Sequence, residues 1–432
     1  MIVRPRFDGP VSRILLIALL VLLLQVPGCM IGELTRERQK SRDDARAEVG
    51  QTWGVAQRVA GPVLVIPYRI RGVDEKNKPV DVETGAIVVM PERLGIDGSA
   101  SAETLRRGLF DVPVYRGQLK LSGRFRAPRA EIGALVPREA LQWDQAHLVL
   151  RVTDVHAIDR VSALKWGAAV FDFQGGAGAL GAGGLQVPLP GLAPDLPMEF
   201  STELTLRGSD ALHFAAPARS TAVALRSDWP HPKFGGAWLP DARELRADGF
   251  TANWQVTSLA AGLPAAWKVG SASHGAFDAS AFGVELISPV DTYRMTERTL
   301  KYSLLFLGLT FAVVWLIEQK SGRAAHPIQY LLVGASLCVF YLLELSLAEH
   351  FGFATAYAVA ATAVTLQVSL YARAALGGLK PALALMGVVA ALYGLLYAML
   401  GAEDYALLVG SITLFAMLSA VMFLTRRVKW GV

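Results

Sequence analysis

Two polar side chains lie inside long apolar segments of the C-terminal third, where an ionisable group is costly and often functional. Glu344 is the only acid well inside the segment 326–350, and Gln367 lies in the next apolar segment. Glu344 precedes Glu349 by five residues, which places it about 7–8 Å from the helix end at a rise of 1.5 Å per residue. It can therefore serve a proton or ion pathway, or reach the interface, or stay neutral.

The segment 229–236 is the most distinctive one outside the apolar stretches, because two prolines bracket a histidine. These prolines restrict the backbone around His231 and predict a stiff loop that is not helical. Aromatic residues surround it, and they either plug a β core as a rigid corner or present a surface for a ligand or a partner. The candidate interaction surface consists of Trp229, His231, Phe234 and Trp238.

Motifs for catalysis, cofactors and metals are weak. Residues 176–181 match G-x-G-x-x-G, but Pro188 and Pro190 follow before any helix, so a flexible loop is the better interpretation. The seven histidines are scattered, and none has a His or Cys neighbour at metal-ligand spacing. Cys29 and Cys338 both fall in apolar stretches, which leaves no disulfide framework between them. We predict no catalytic residue, no metal and no cofactor, and leave acylation of Cys29 open.

Six apolar segments are long enough to cross a hydrocarbon core of about 30 Å as helices. They cover residues 14–31, 300–317, 327–347, 353–372, 381–400 and 405–424. The first predicts an uncleaved anchor, and the other five predict a bundle. Pairs of small residues predict close helix approach at Gly308 and Ala312, Ala356 and Ala360, and Gly387 and Ala391.

The charges of the connections between these segments predict the topology, because short basic loops stay in the cytoplasm. Alternate connections carry the basic residues Lys320, Arg323, Arg373, Lys380, Arg426, Arg427 and Lys429. The intervening connections carry the acids Glu349, Glu403 and Asp404 and no basic residue. Six spans with both termini in the cytoplasm satisfy this pattern, and the large region between the first two spans is then periplasmic.

That region, 33–298, begins with a charged stretch that predicts a solvated helical stalk as far as Val49. Beyond it, alternating and β-branched runs separated by Gly and Pro predict an antiparallel, sandwich-like β domain. Eight strands are expected near 62–70, 85–90, 118–126, 147–155, 200–207, 221–226, 250–256 and 282–287. Short helices are expected near 102–107 and 138–142, and a Gly/Ala-rich loop at 175–184 is a candidate seam between two subdomains.

The composition agrees with a membrane protein of class α+β. The 432 residues are 53% hydrophobic with a mean hydropathy of +0.37, which exceeds the usual range of soluble domains. The net charge of +5 resides in the short connections, because residues 33–298 hold equal numbers of acidic and basic residues. This distribution argues against a nucleic-acid partner. The domains are a tip and anchor (1–32), a stalk and β domain (33–298), a helical bundle (299–425) and a basic tail (426–432).

Several segments resemble the CreD family of inner-membrane proteins over nearly the whole chain. They are Gly61-Pro62, Ile66-Pro67, Val187–Pro190, Ser227–Phe234, Leu239-Pro240, Arg243-Glu244, Gly249-Phe250, His326-Pro327, Gln329–Gly334, Phe340–Leu343, Glu349-His350, Gly352-Phe353 and Met422–Arg426. The resemblance implies a role in cell-envelope integrity and tolerance of envelope-directed agents. It implies no catalytic residue, and Glu344 departs from the apolar pattern expected there.

We therefore expect a non-enzymatic inner-membrane protein that supports envelope integrity. Its partners would be the lipid bilayer and an envelope component or a periplasmic or inner-membrane protein, bound through the β domain. The alternative is a transporter of a small or lipid-linked molecule, or a membrane-embedded enzyme, which would use the C-terminal bundle. Glu344 and Gln367 are the candidate intramembrane polar residues for that alternative.

Overall fold

The computed structural model describes residues 10–73, 79–181, 183–215, 218–287, 291–321, 325–375 and 378–401, with isolated helical positions between 408 and 423. The chain divides into two compact units. One comprises Met1–Arg42 together with Val290–Val432, and the other comprises Asp43–Pro289. Each unit is built around its own cluster of buried apolar side chains.

Helix α1 covers Pro10–Trp53 without a break. Its first part is the predicted anchor, and its second part is the predicted charged stalk. The stalk continues the helix because the stretch between Pro27 and Gly50 contains mainly helix-forming charged residues, with glycine only at 28 and 32. The predicted helix of the stalk is therefore confirmed, and it continues the helix of the anchor without a break.

The unit Asp43–Pro289 contains eighteen strands in its described residues. They are β1 Gln57–Val73, β2 Pro79–Val89, β3 Arg93–Arg107, β4 Phe110–Phe125, β5 His147–Val152, β6 Ile158–Val161, β7 Leu164–Trp166, β8 Ala169–Phe171, β9 Gln174–Gly175, β10 Leu185–Pro188, β11 Met198–Ser209, β12 Ala211–Ala215, β13 Ser220–Ser227, β14 Pro232–Gly236, β15 Ala242–Arg246, β16 Gly249–Thr257, β17 Ala266–Lys268 and β18 Ala281–Leu286. Two short helices, α2 Pro128–Ile132 and α3 Ala272–Ala279, accompany them.

The strands form two nine-stranded sheets. The first has the order β14-β18-β12-β1-β5-β10-β9, with β2 paired to β1 and β17 paired to β2. The second has the order β15-β16-β13-β3-β4-β11-β7-β8, with β6 paired to β11. One core takes side chains from both sheets, for example Leu64 and Phe282 from the first and Leu121 and Trp254 from the second. The predicted sandwich-like β architecture is therefore confirmed.

Three details of the prediction are wrong. Strand pairs β1–β12 and β3–β13 are parallel, so the sheets are mixed. Residues 102–107 belong to β3 instead of a helix, because Leu105 packs beside Val112 and Val114 and tertiary contacts override helix propensity. The loop at 175–184 is no seam, since the core joins Leu150 before it to Phe200 after it. Near 138–142 the structure has a 3₁₀ turn, Arg138–Ala140.

The chain passes from the second sheet to the first at a single residue, Asp210, between β11 and β12. Its φ of 61° is a left-handed conformation, which aspartate tolerates better than most residues. Burial raises the pKa of Asp210, and Asp43 adds to that rise while Arg46 opposes it. This carboxyl group is therefore held in the turn at an electrostatic cost.

The other unit contains five further helices in its described residues: α4 Thr292–Lys301, α5 Ser303–Ser321, α6 Pro327–Phe351, α7 Phe353–Ala375 and α8 Leu379–Gly401. Four helices of the chain, α1, α6, α7 and α8, are long and apolar enough to cross a membrane. Helices α4 and α5 meet at a bend of 47° and make a fifth candidate if they count as one span. The predicted span 405–424 and the tail 426–432 lie outside the continuously described residues.

Close helix approach occurs at a glycine that was not predicted. A Cβ atom on Gly334 of α6 would lie 2.2 Å from Leu24 Cδ1 and 2.7 Å from Phe311 Cζ. The predicted Ala356 and Ala360 are buried, but a Cβ on Gly308 or Gly387 meets no other atom within 4 Å among the described residues. Gly308 and Gly387 therefore do not lie where two described helices approach closely. The small size of a residue was not sufficient to predict which positions pack against a neighbouring helix.

Candidate functional site

Glu344 is fully buried within the helical unit, on the face of α6 that packs against α4. Its Oε1 accepts hydrogen bonds from Thr299 Oγ1 at 3.0 Å and Thr296 Oγ1 at 3.4 Å. Its Oε2 has no hydrogen-bond partner among the described residues. A buried carboxyl oxygen without a partner is costly, so Glu344 lowers the stability of this position relative to an apolar side chain of similar size.

Aromatic side chains fill the interior beside this carboxyl group. The Phe340 ring lies 4.4 Å from that of Tyr393 and 5.4 Å from that of Tyr357, measured between centroids. Tyr357 Oη donates a hydrogen bond of 2.6 Å to the Tyr393 carbonyl oxygen. These contacts link α6, α7 and α8 by packing and one hydrogen bond, with Glu344 as the acidic group of this layer.

The structure does not bring Gln367 to this site. Gln367 is exposed on α7, because the buried face of that helix is formed by Val364, Thr365 and Val368. The two candidate intramembrane residues therefore occupy different environments. The threonine partners of Glu344 were missed by the sequence analysis, although their spacing of three residues on α4 places them on one face of a helix.

Ion pairs and hydrogen bonds join the stalk part of α1 to α4 and α6 within the same unit. Tyr293 Oη donates to Glu349 Oε1 at 3.0 Å, and Arg38 Nε lies 3.8 Å from that same oxygen. Arg42 Nη1 lies 2.8 Å from Asp291 Oδ1, and its guanidinium carbon lies 5.4 Å from the centre of the Tyr293 ring. The arginines that were interpreted as stalk charges therefore hold helices together, and their spacing of four residues places them on one helix face.

A second ion pair joins α1 to α5. Arg13 Nη1 lies 3.0 Å from Glu318 Oε2, and the Glu318 side chain is only 2% exposed. The other oxygen, Oε1, accepts the backbone N–H of Ala325 at 2.8 Å. Glu318 thus orders both the anchor helix and the segment that precedes α6.

Removing the Glu344 carboxyl group is expected to raise the stability of the protein. Replacement by leucine eliminates a buried oxygen that has no partner, so we expect the free energy of unfolding to rise by about 1 kcal/mol. The measurement is reversible unfolding of the purified protein in detergent, with Gln367→Leu as the matched control at an exposed position. A loss of stability in Glu344→Leu would show that the carboxylate is a structural necessity.

Three of the four residues of the candidate interaction surface, Trp229, Phe234 and Trp238, pack against the core of the sandwich. The Phe234 ring packs at 5.4 Å on Phe250, and the Trp238 ring packs at 5.8 Å on Phe282. Trp229 Nε1 donates to the carbonyl oxygens of His231 and Ile287 at 3.1 and 3.2 Å. His231 itself is exposed. The contacts support the rigid-corner interpretation for the aromatic rings.

A different surface of the β domain is open and polar. On the outer face of the second sheet, a groove of about 430 Å³ has a floor of the small residues Gly95, Ala222 and Ala224. We call this groove the outer trough. Its walls carry the side chains of Asp97, Lys120, Ser122, Asn253 and Gln255. The outer trough was not predicted from the sequence, although its residues occupy the outward positions of the alternating strands β3, β4, β13 and β16.

Within the described ranges, no group of three or more His, Cys, Asp or Glu side chains is placed to hold a metal ion. Cys29 is exposed on α1 and Cys338 is buried on α6, and both are free thiols. The Cys338 thiol donates a weak hydrogen bond of 3.6 Å to the Leu24 carbonyl oxygen, which joins α6 to α1.

The architecture is that of a multi-helix membrane protein into which a large two-sheet β domain is inserted after the first helix. Sequence comparison identifies the family. The family described as Inner membrane protein CreD matches residues 10–431. Inner membrane protein CreD of Escherichia coli (strain K12) is 32% identical over 415 residues, which cover 95% of this chain and 91% of that protein. The chain belongs to the CreD family of inner membrane proteins.

Two crystal structures of an M1 zinc metallopeptidase from Deinococcus radiodurans align at 11% identity, covering 49% of this chain and 52% of theirs. Their TM-scores are 0.21 and 0.22. These similarities carry no argument about this protein.

Proposed function

We propose that this protein supports the integrity of the cell envelope, with the β domain as its binding part and the helices as its membrane anchor. The observation that carries this proposal is the outer trough, whose walls present amide, hydroxyl, ammonium and carboxylate groups to solvent. The walls place hydrogen-bond donors and acceptors side by side, which suits the binding of a polar ligand. The protein is proposed to act without an enzymatic step.

The β domain is placed on the periplasmic side in this proposal. The support is the charge pattern of the connections between helices, with Arg373 and Lys380 on one side and Glu349 on the other. Basic connections remain in the cytoplasm. Six spans with both termini in the cytoplasm follow from this pattern, and the envelope component or protein partner would meet the domain in the periplasm.

A membrane-embedded function is the second candidate, because Glu344 has a buried carboxyl oxygen without a hydrogen-bond partner among the described residues. Such a group can take up or release a proton during transport. Against this candidate, aromatic rings fill the space between α6, α7 and α8, and Gln367 faces away from that space.

Complementation of a deletion strain under envelope stress separates the two candidates. One strain expresses the full chain, and the other expresses residues 33–298 on an unrelated single-span anchor. Rescue by both is the expected result and assigns the function to the β domain. Rescue by the full chain alone, with the anchored domain folded and equally abundant, would contradict the proposal and move the function into the helical unit. Glu344→Leu in the full chain then tests whether the carboxyl group is required there.

A further inference from the structure

The outer trough runs across neighbouring strands of the second sheet. In one row, Ser122 of β4 faces Gly95 of β3, which faces Ala222 of β13, which faces Gln255 of β16. In the adjacent row, Lys120 of β4 pairs with Asp97 of β3. Asp97 pairs in turn with Ala224 of β13, and Ala224 pairs with Asn253 of β16. Because neighbouring strands lie about 4.8 Å apart, each row spans roughly 14 Å. The trough can therefore hold an extended chain that crosses the strands.

Several polar side chains around the trough are free to bind a ligand. Within the described residues, Lys120, Ser122, Asn253 and Gln255 have no side-chain hydrogen bond or ion pair, although the backbone N–H of Gln255 bonds to Asp241. An amide group offers both donors and acceptors, and an ammonium group offers three donors. This mixture matches a ligand that carries hydroxyl and amide groups along its length.

The same geometry argues against other ligand classes. The trough lies on the face of the sheet, where the backbone groups of β3, β4, β13 and β16 are already paired, so a peptide cannot add as a strand. Its floor is alanine and glycine, which offers no aromatic pocket of the kind that dominates protein interfaces. Among the residues that line the trough, the ammonium group of Lys120 is matched by the carboxylate of Asp97, so the lining has no positive excess that would favour a polyanion.

We propose that the outer trough binds a neutral glycan chain bearing hydroxyl and N-acetyl groups, recognised through Lys120, Ser122, Asn253 and Gln255. This inference rests on the proposed function, because it names the class of envelope component that the β domain would hold. Sugar hydroxyls would bond to the amide side chains, while the small floor residues let the rings approach the sheet.

The test uses the full chain purified in detergent micelles, with a hexamer of β-1,4-linked N-acetylglucosamine as the probe and calorimetry as the readout. The double substitution Asn253→Ala and Gln255→Ala removes wall hydrogen bonds and is expected to weaken binding about tenfold. Glu103→Ala, at an exposed position of β3 outside the trough, is the matched control with unchanged affinity. Equal affinity of the double variant and the control would overturn the proposal.

A second variant blocks the trough without removing a hydrogen bond. Ala222→Trp fills the floor and is expected to abolish binding of the hexamer, whereas Glu103→Trp leaves it unchanged. Absence of binding to the unmodified protein would overturn the proposal, as would binding of anionic phospholipid vesicles in place of the hexamer. If the anchored domain rescues the deletion strain but the hexamer does not bind, the glycan proposal fails alone. If the hexamer binds but only the full chain rescues, the proposed function fails alone.

Discussion

Replacing Arg13 with leucine is expected to lower the free energy of unfolding by about 3–5 kcal/mol, the largest effect among the helix contacts described above. The substitution leaves Glu318 Oε2 without its cationic partner at 3.0 Å, while the side chain stays 2% exposed. Removing one member of a buried pair costs more than the pair contributes, because an uncompensated charge remains inside. The measurement is reversible unfolding in detergent.

The double variant Arg13→Leu and Glu318→Leu sharpens this test. Because both charges are then gone, we expect it to be more stable than Arg13→Leu alone. Arg373→Leu, at an exposed position near the end of α7, is the control and should change stability by less than about 0.5 kcal/mol. A double variant that is less stable than the single one would mean that Glu318 acts mainly through its bond to the Ala325 N–H.

The second large effect is expected in the β domain, where Phe282→Ala should cost about 3–5 kcal/mol. Phe282 is fully buried, and its ring packs at 5.7 Å on Trp254 and 5.8 Å on Trp238. Trp238→Ala should cost about half as much, since Trp238 is half-buried. His231→Ala keeps the backbone carbonyl that Trp229 uses and should be nearly neutral. Thermal and denaturant unfolding of the domain report these differences.

This series also separates the two roles of the candidate interaction surface. If the aromatic residues are a structural corner, losses of rescue under envelope stress should follow losses of stability. If Trp238→Ala keeps its stability and still fails to rescue the deletion strain, the result would favour a binding role for Trp238 over a purely structural one. A double-mutant cycle of Trp238 and Phe282 should show a coupling of about 0.5–1.5 kcal/mol.

The elements that the sequence predicts well are those with a strong periodic pattern. Continuous apolar runs predicted the helices α6, α7 and α8, and alternation predicted the main strands of both sheets. Residues 102–107 have favourable helix propensity, yet they extend β3 because Leu105 joins a small cluster with Val49, Val112 and Val114. Local propensity could not reveal that contact, since Val49 is more than fifty residues away in sequence.

The candidate sites were harder to predict, because they depend on which elements become neighbours. Glu344 stood out as an acid in an apolar run, but its partners Thr296 and Thr299 lie on a separate helix. The outer trough is assembled from four strands whose residues are individually unremarkable, and two of those strands, β3 and β13, pair in parallel. Only the sheet order brings Gly95 and Ala222 side by side.

The parallel pairs also set the order in which the domain can be completed. Strand β1 can form its parallel pair only after β12 has been synthesised, because Gln57 pairs with Leu212. Strand β3 likewise requires β13, because Arg93 pairs with Ser220. During synthesis the N-terminal strands therefore leave the ribosome long before their partners, with one edge unpaired. Unpaired edges invite association with other chains. The edges of β1 and β3 that β12 and β13 cover therefore stay open to pairing with other chains until more than a hundred further residues have been synthesised.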